Sequence, residues 1–189
     1  DILGISADQM QAFGTEQIRA FSTSFVAGVS PIQIQMMTPD QVAALSFQQV
    51  ATTPTVTLRG LSTAAIEALT TEQAAALGSA QVAALTTAQI AALQTADLAM
   101  IAPEALAALG TAQVRALSST QLEALTLDQA HAWGTLAAGA LTSAQVQALA
   151  EAQIAALSEG AISALTTAAL RGLSAGDIAA LTGDQAGAL

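Results

Sequence analysis

One histidine, fourteen carboxylates and four arginines are the groups in this 189-residue sequence able to carry acid–base, metal or ionic chemistry. The histidine, His131, stands between Ala130 and Ala132. A general base or zinc ligand needs partners, and the sequence holds no second His and no Cys. Seven of the acids (Asp8, Glu16, Asp40, Glu72, Glu104, Asp128 and Asp184) share one phase, each a multiple of eight residues from the next. A calcium loop gathers several oxygens within a single short segment, and only Asp8 and Glu16 among the seven are eight residues apart. The expectation is a set of solvated charges near helix starts. The glycines never cluster into a phosphate cradle. No catalytic, cofactor-binding or metal-ligating residue is named on this sequence, no cofactor is expected, and no nucleophile–base pair supports an enzyme.

The bulk composition narrows the classes further. Hydrophobic residues make up 53% of the chain, but aromatic residues only 3% and charged residues only 10%. So narrow a vocabulary points to repetition rather than to a varied core around a shaped pocket. The net charge of −10 has the wrong sign for displacing counterions from nucleic-acid phosphates, so that partner class is excluded. Residues 1–20 contain three acids and no basic leader, so the chain reads as mature or as a segment of something longer. Residues 20–39 and 73–96 are uncharged. Pro31 and Pro39 interrupt the first, and regularly spaced glutamines the second, so neither reads as a membrane span.

Written in eights, the sequence has an unbroken frame. With Ser6 as position 1, position 8 runs from Ile5 and Phe13 to Leu189, and Thr53 alone breaks its apolar character. Position 5 is always apolar, and position 7 is Ala or Gly in 21 of 24 cases. Position 1 is Ser or Thr in 15 of 23 octads and position 4 is Gln in 14 of 24. Ser/Thr-x-x-Gln is the capping box of a helix start. Pro31, Pro39 and Pro103 fall at position 2, the first helical residue, where proline's missing N–H costs nothing. Twelve of the acids lie at positions 2 to 4, and all four arginines (Arg19, Arg59, Arg115 and Arg171) at position 6, matching the two ends of a helix dipole.

These signals predict an all-α solenoid in which each octad is a short capped helix from position 2 to position 8, about two turns long. One continuous helix fails, because eight residues at about 100° each would rotate the apolar stripe by about 80° per octad. A β-solenoid is the other alternative, but the Ala, Gln and Leu content is that of helices. A single octad cannot bury its two apolar side chains alone, so neighbouring turns must complete its core. The spacing leaves the number of octads per turn open. Residues 1–189 read as one array. Residues 1–60 carry all four Phe and three of four Met, and 61–189 are regular. At 51–58 Thr53 replaces the core residue and Pro54 the cap, so a kink, an extended stretch or a sub-array boundary is expected there. No polar residue follows Gln185 to cover the end, so the natural chain is expected to continue past Leu189.

Units in 61–189 such as Leu85-Thr-Thr-Ala-Gln-Ile-Ala-Ala-Leu93 resemble the Leu-Thr-x-x-Gln-Ile-x-Ala octapeptide arrays of very large bacterial proteins. Those proteins are regarded as secreted, surface-associated or adhesin-like. The resemblance is close over 61–189 and holds in register alone before that. It implies an extracellular or cell-surface structural role and carries over no functional residue. The expectation is a non-enzymatic rod, stalk or filament scaffold that associates with itself or with neighbouring repeats, without nucleic acid, membrane span or small-molecule substrate. Position 2 is Thr in ten octads, with a run through Thr55, Thr63, Thr71, Ser79, Thr87 and Thr95. Such hydroxyls motivate a second reading, a binding module whose Thr/Ala ladders recognise a repetitive surface such as ice, a polymer or a glycan.

Overall fold

A computed structural model describes residues 4–189, and there each octad forms one helix. Twenty-three helices of four to six residues follow one another, and no strand occurs among the described residues. Thr87–Ala92 shows how the local sequence dictates this. The Gln89 N–H donates to Thr86 Oγ1 at 3.2 Å, and the Thr86 N–H donates to Gln89 Oε1 at 2.8 Å. Two of the orphan donors at the helix start are thereby satisfied. Leu93 then leaves the helix at φ −61°, ψ 131°, and the next position-1 residue, Gln94, is extended as well.

Two consecutive extended residues make such a corner, and the helices end at position 5, 6 or 7 rather than at the expected position 8. Ending at position 8 would leave one residue to redirect the chain. No described non-glycine or glycine residue has a positive φ. The glycines at position 1 are thus ordinary extended residues, as Gly14 is at φ −73°, ψ 159°. Residues 51–58 keep the frame: Thr53 takes the corner at φ −67°, ψ 126°, and its hydroxyl donates to the Gln49 carbonyl at 2.8 Å. Pro54 stands in the cap position and Thr55–Leu58 follows as the next helix.

The chain divides into two compact units, residues 1–101 and 102–189. The first holds the twelve helices from Ala7–Gln11 to Thr95–Met100, the second the eleven from Pro103–Leu106 to Gly183–Gly187. Within each unit, helices three places apart pack on each other. Pro31–Gln35 lies against Ala7–Gln11 and Thr55–Leu58; Thr135–Ala140 lies against Thr111–Ala116 and Glu159–Ala164. One turn therefore takes three octads. Each unit is a solenoid of short helices.

Positions 5 and 8 supply the core, as in Ile90 and Leu93, or Val146 and Leu149. Trp133 takes position 8 and is fully buried, in an octad whose position 5 is only Ala130; Ala138 follows at position 5 of the next. Among the described residues its Nε1 is the one buried side-chain nitrogen or oxygen without a hydrogen-bond partner. Trp133 is also the only Trp, and the chain has no Tyr. The folded protein is therefore expected to emit at blue-shifted wavelength and to resist quenching by iodide. Emission like that of free indole, or full quenching, would contradict this packing.

Candidate functional site

The polar residue that recurs most, Gln at position 4, faces inward in twelve of its fourteen octads, Gln9 and Gln17 being exposed. Gln73 is 1% exposed, and it does two things at once. Its Oε1 accepts the Thr70 N–H at 2.9 Å and closes the capping box. Its Nε2 donates to the carbonyls of Leu45 at 2.6 Å and Val42 at 2.8 Å, in the turn beneath. The same offsets of 28 and 31 residues recur for Gln49 on Phe21 and Ile18, Gln81 on Thr53 and Val50, and Gln89 on Leu61 and Leu58. In the second unit they recur for Gln145 on Leu117 and Val114 and for Gln153 on Leu125 and Leu122. The last carbonyls of a helix have no intrahelical donor. A column of amides supplies it, so every such rung ties a helix start to a helix end one turn below. The sequence alone accounts for these glutamines as caps and leaves the second bond unseen.

Position 6 answers from the other direction. Arg115 Nε donates to the Ala140 carbonyl at 3.1 Å, 25 residues later. His131 Nδ1 lies 3.0 Å from the Ala156 carbonyl oxygen at the same offset, a contact made by the Nδ1–H tautomer. His131 is exposed, and its polar neighbour is this backbone oxygen. The octad frame assigns each arginine to the negative end of its own helix; Arg115 instead serves the helix end of the turn above. Arg19 lies beside Glu16 at 2.5 Å, an exposed pair of small energetic weight.

Stacking at every third octad also decides which surface groups are neighbours. The seven position-3 acids are all exposed. Glu16 and Asp40 come from helices that pack on each other, as do Glu104 and Asp128, whereas Asp8 and Glu16 lie on different faces. Among the described residues no three acid, His or Cys side chains converge in a way that could hold a metal ion. The threonine run divides likewise. Thr63 and Thr87 share one face of the first unit, and Thr71 and Thr95 another. In each unit a shallow groove recurs at the same octad positions. One is lined by Arg19, Ser46, Phe47, Thr70 and Glu72 and encloses about 410 Å³; the other, about 520 Å³, by His131, Ser158, Glu159 and Thr182.

Two octads place a buried aspartate at position 4. Asp177 is 4% exposed and completes a capping box, its Oδ2 accepting the Ser174 N–H at 2.7 Å. Asp97 is 3% exposed, and burial raises its carboxyl above the ordinary value of 3.8. No helix of the described residues is long and apolar enough to cross a membrane.

Fold and surface together define a class: a tandem-repeat protein of short capped helices whose recurrent polar side chains hold successive turns together. The family model described as ALTTAQ repeat matches residues 55–87 and 90–135, and those six letters stand verbatim at Ala84–Gln89. The chain is similar to that repeat over these stretches, which supports a repeat-array family and suggests a structural rather than a catalytic character. Comparison with curated proteins gave no match.

Proposed function

We propose that this protein is a structural scaffold module of the rod, stalk or filament type, working at the cell surface or outside the cell and associating with itself. The carrying observation is where the polar groups act. The glutamine amides, and the position-6 side chains Arg115 and His131, hydrogen-bond to backbone of adjacent turns. The outer positions 2 and 3 carry short side chains and nine carboxylates, punctuated by bare apolar ones: Ile32 is 69% exposed, Val56 61% and Leu136 59%. Ile32 and Val56 are stacked one turn apart on helices that pack together. Apolar side chains repeated on an outer face favour lateral contact with a second copy of that face.

Negative-stain electron microscopy and sedimentation across a concentration series test this reading. Assemblies that grow with concentration, and that weaken when Ile32 and Val56 are replaced by Ser, are expected. A monomer at every concentration sinks the self-associating scaffold. The threonines stacked in pairs, Thr63 with Thr87 and Thr71 with Thr95, favour the second reading of a module for repetitive surfaces. An ice-recrystallisation assay without inhibition counts against ice as that surface.

A further inference from the structure

Position 4 of the helix Thr95–Met100 holds Asp97 where most octads hold the bridging glutamine. This helix packs on Thr71–Ala75. The offsets of 28 and 31 residues that put the carbonyls of Leu61 and Leu58 on Gln89 point, for Asp97, to those of Leu69 and Ile66. The octad start is also the poorer of the two that carry a buried aspartate. Gln94 makes no side-chain cap and no capping box closes, whereas Asp177 accepts the Ser174 N–H at 2.7 Å. The charged groups on the helices beneath are Glu72, on Thr71–Ala75, and Glu67, at the end of Thr63–Glu67, and both are carboxylates. The Glu67 carbonyl also receives the Gln94 amide at 3.4 Å. An ionised Asp97 thus stands where the glutamines donate to carbonyl oxygens, in a place nearly closed to water, while a neutral one carries an O–H donor.

We propose that Asp97 is a proton-controlled rung: its neutral carboxyl donates to a carbonyl of the turn beneath, and its ionised form releases Thr95–Met100 from Thr71–Ala75. Burial acts in the same direction on this carboxyl. A group whose folded value lies above its unfolded one gives stability that is complete below the unfolded value. That stability is lost as pH rises through the folded value. The window therefore opens at 3.8 and extends upward. Within it, local opening of the two helices grows by about tenfold per pH unit, the limit for one proton.

Hydrogen exchange of the intact chain from about pH 3 to 8, corrected for the intrinsic rate, tests this on the wild type, Asp97→Gln and Asp177→Asn. Protection of 71–75 and 95–100 should fall with pH in the wild type, stay flat in Asp97→Gln, and follow the wild type in Asp177→Asn. Glutamine is the residue this position is built for, so Asp97→Gln keeps the fold. Identical pH profiles for wild type and Asp97→Gln overturn the proposal. So does a pH dependence that disappears with Asp177→Asn instead, or lower protection in Asp97→Gln at every pH.

Discussion

Replacing Gln73 by Glu is expected to destabilise the first unit by about 3–5 kcal/mol at neutral pH, the range for an uncompensated buried charge. The substitution separates the two jobs of the side chain. Glutamate is as good as glutamine at the third helical position of a capping box, so the bond from the Thr70 N–H survives. What disappears is the Nε2 donor to Leu45 and Val42, and a carboxylate now faces those two carbonyl oxygens. At 1% exposure there is almost no water to screen it. Its folded pKa must therefore rise, so the loss is greatest above that value and shrinks as pH falls towards about 4.3, the ordinary glutamate value. Guanidinium denaturation at pH 7 and near pH 4 reads both effects. A variant within about 0.5 kcal/mol of the wild type at pH 7 would show that the rung between turns carries no weight.

Gly172→Ala is the other substitution with a large expected cost, about 3 kcal/mol or more, because a Cβ there meets backbone. It would run into the Ser143 carbonyl oxygen and lie 3.0 Å from Val146 Cβ, and a backbone carbonyl cannot swing aside. Gly60 meets the Pro31 carbonyl in the same way, at 2.5 Å. Both glycines stand at position 7 after four-residue helices, Thr55–Leu58 and Thr167–Leu170, whose position 4 is Thr57 or Ala169 instead of Gln. Thr57 shows why the turns close up. Its short side chain still donates to the Val29 carbonyl at 2.8 Å, which draws the helix down onto the turn beneath. Gly183→Ala is the matched control in the second unit. Nothing lies within 4 Å of the added methyl, and Gly183 is the first residue of its helix, so a change within about 0.5 kcal/mol is expected. Equal costs at 172 and 183 would mean that close backbone approach is not what keeps glycine at position 172.

Much of the fold can be read from the octad alone, because local chemistry determines it. Ser or Thr at position 1, Pro31, Pro39 and Pro103 at position 2 and the apolar positions 5 and 8 each answer to a rule that acts within one helix. The bonds between turns answer to none. The capping box fully accounts for Gln at position 4, so no leftover signal asks where the amide nitrogen goes. One trace is nevertheless present. A capping box accepts Glu as readily as Gln, yet acids crowd positions 2 and 3 while position 4 holds fourteen Gln, three Asp and no Glu. A position that refuses the isosteric acid needs a donor. The number of octads per turn leaves no such trace. It arises at corners such as Leu93 and Gln94, where two extended residues redirect the chain, and it sets the pairing of Glu16 with Asp40 and of Thr63 with Thr87 in turn.

The three-octad turn also separates two kinds of change open to a gene for such an array. Since all octads present the same positions 4, 5, 7 and 8, duplicating or losing one leaves inner residues facing inner residues. Outer residues fare differently. Ile32 and Val56 share a face because they stand three octads apart, and one added octad between them would send them to different sides. Array length can thus drift one octad at a time at small structural cost, while a surface pattern survives only changes made three octads at a time.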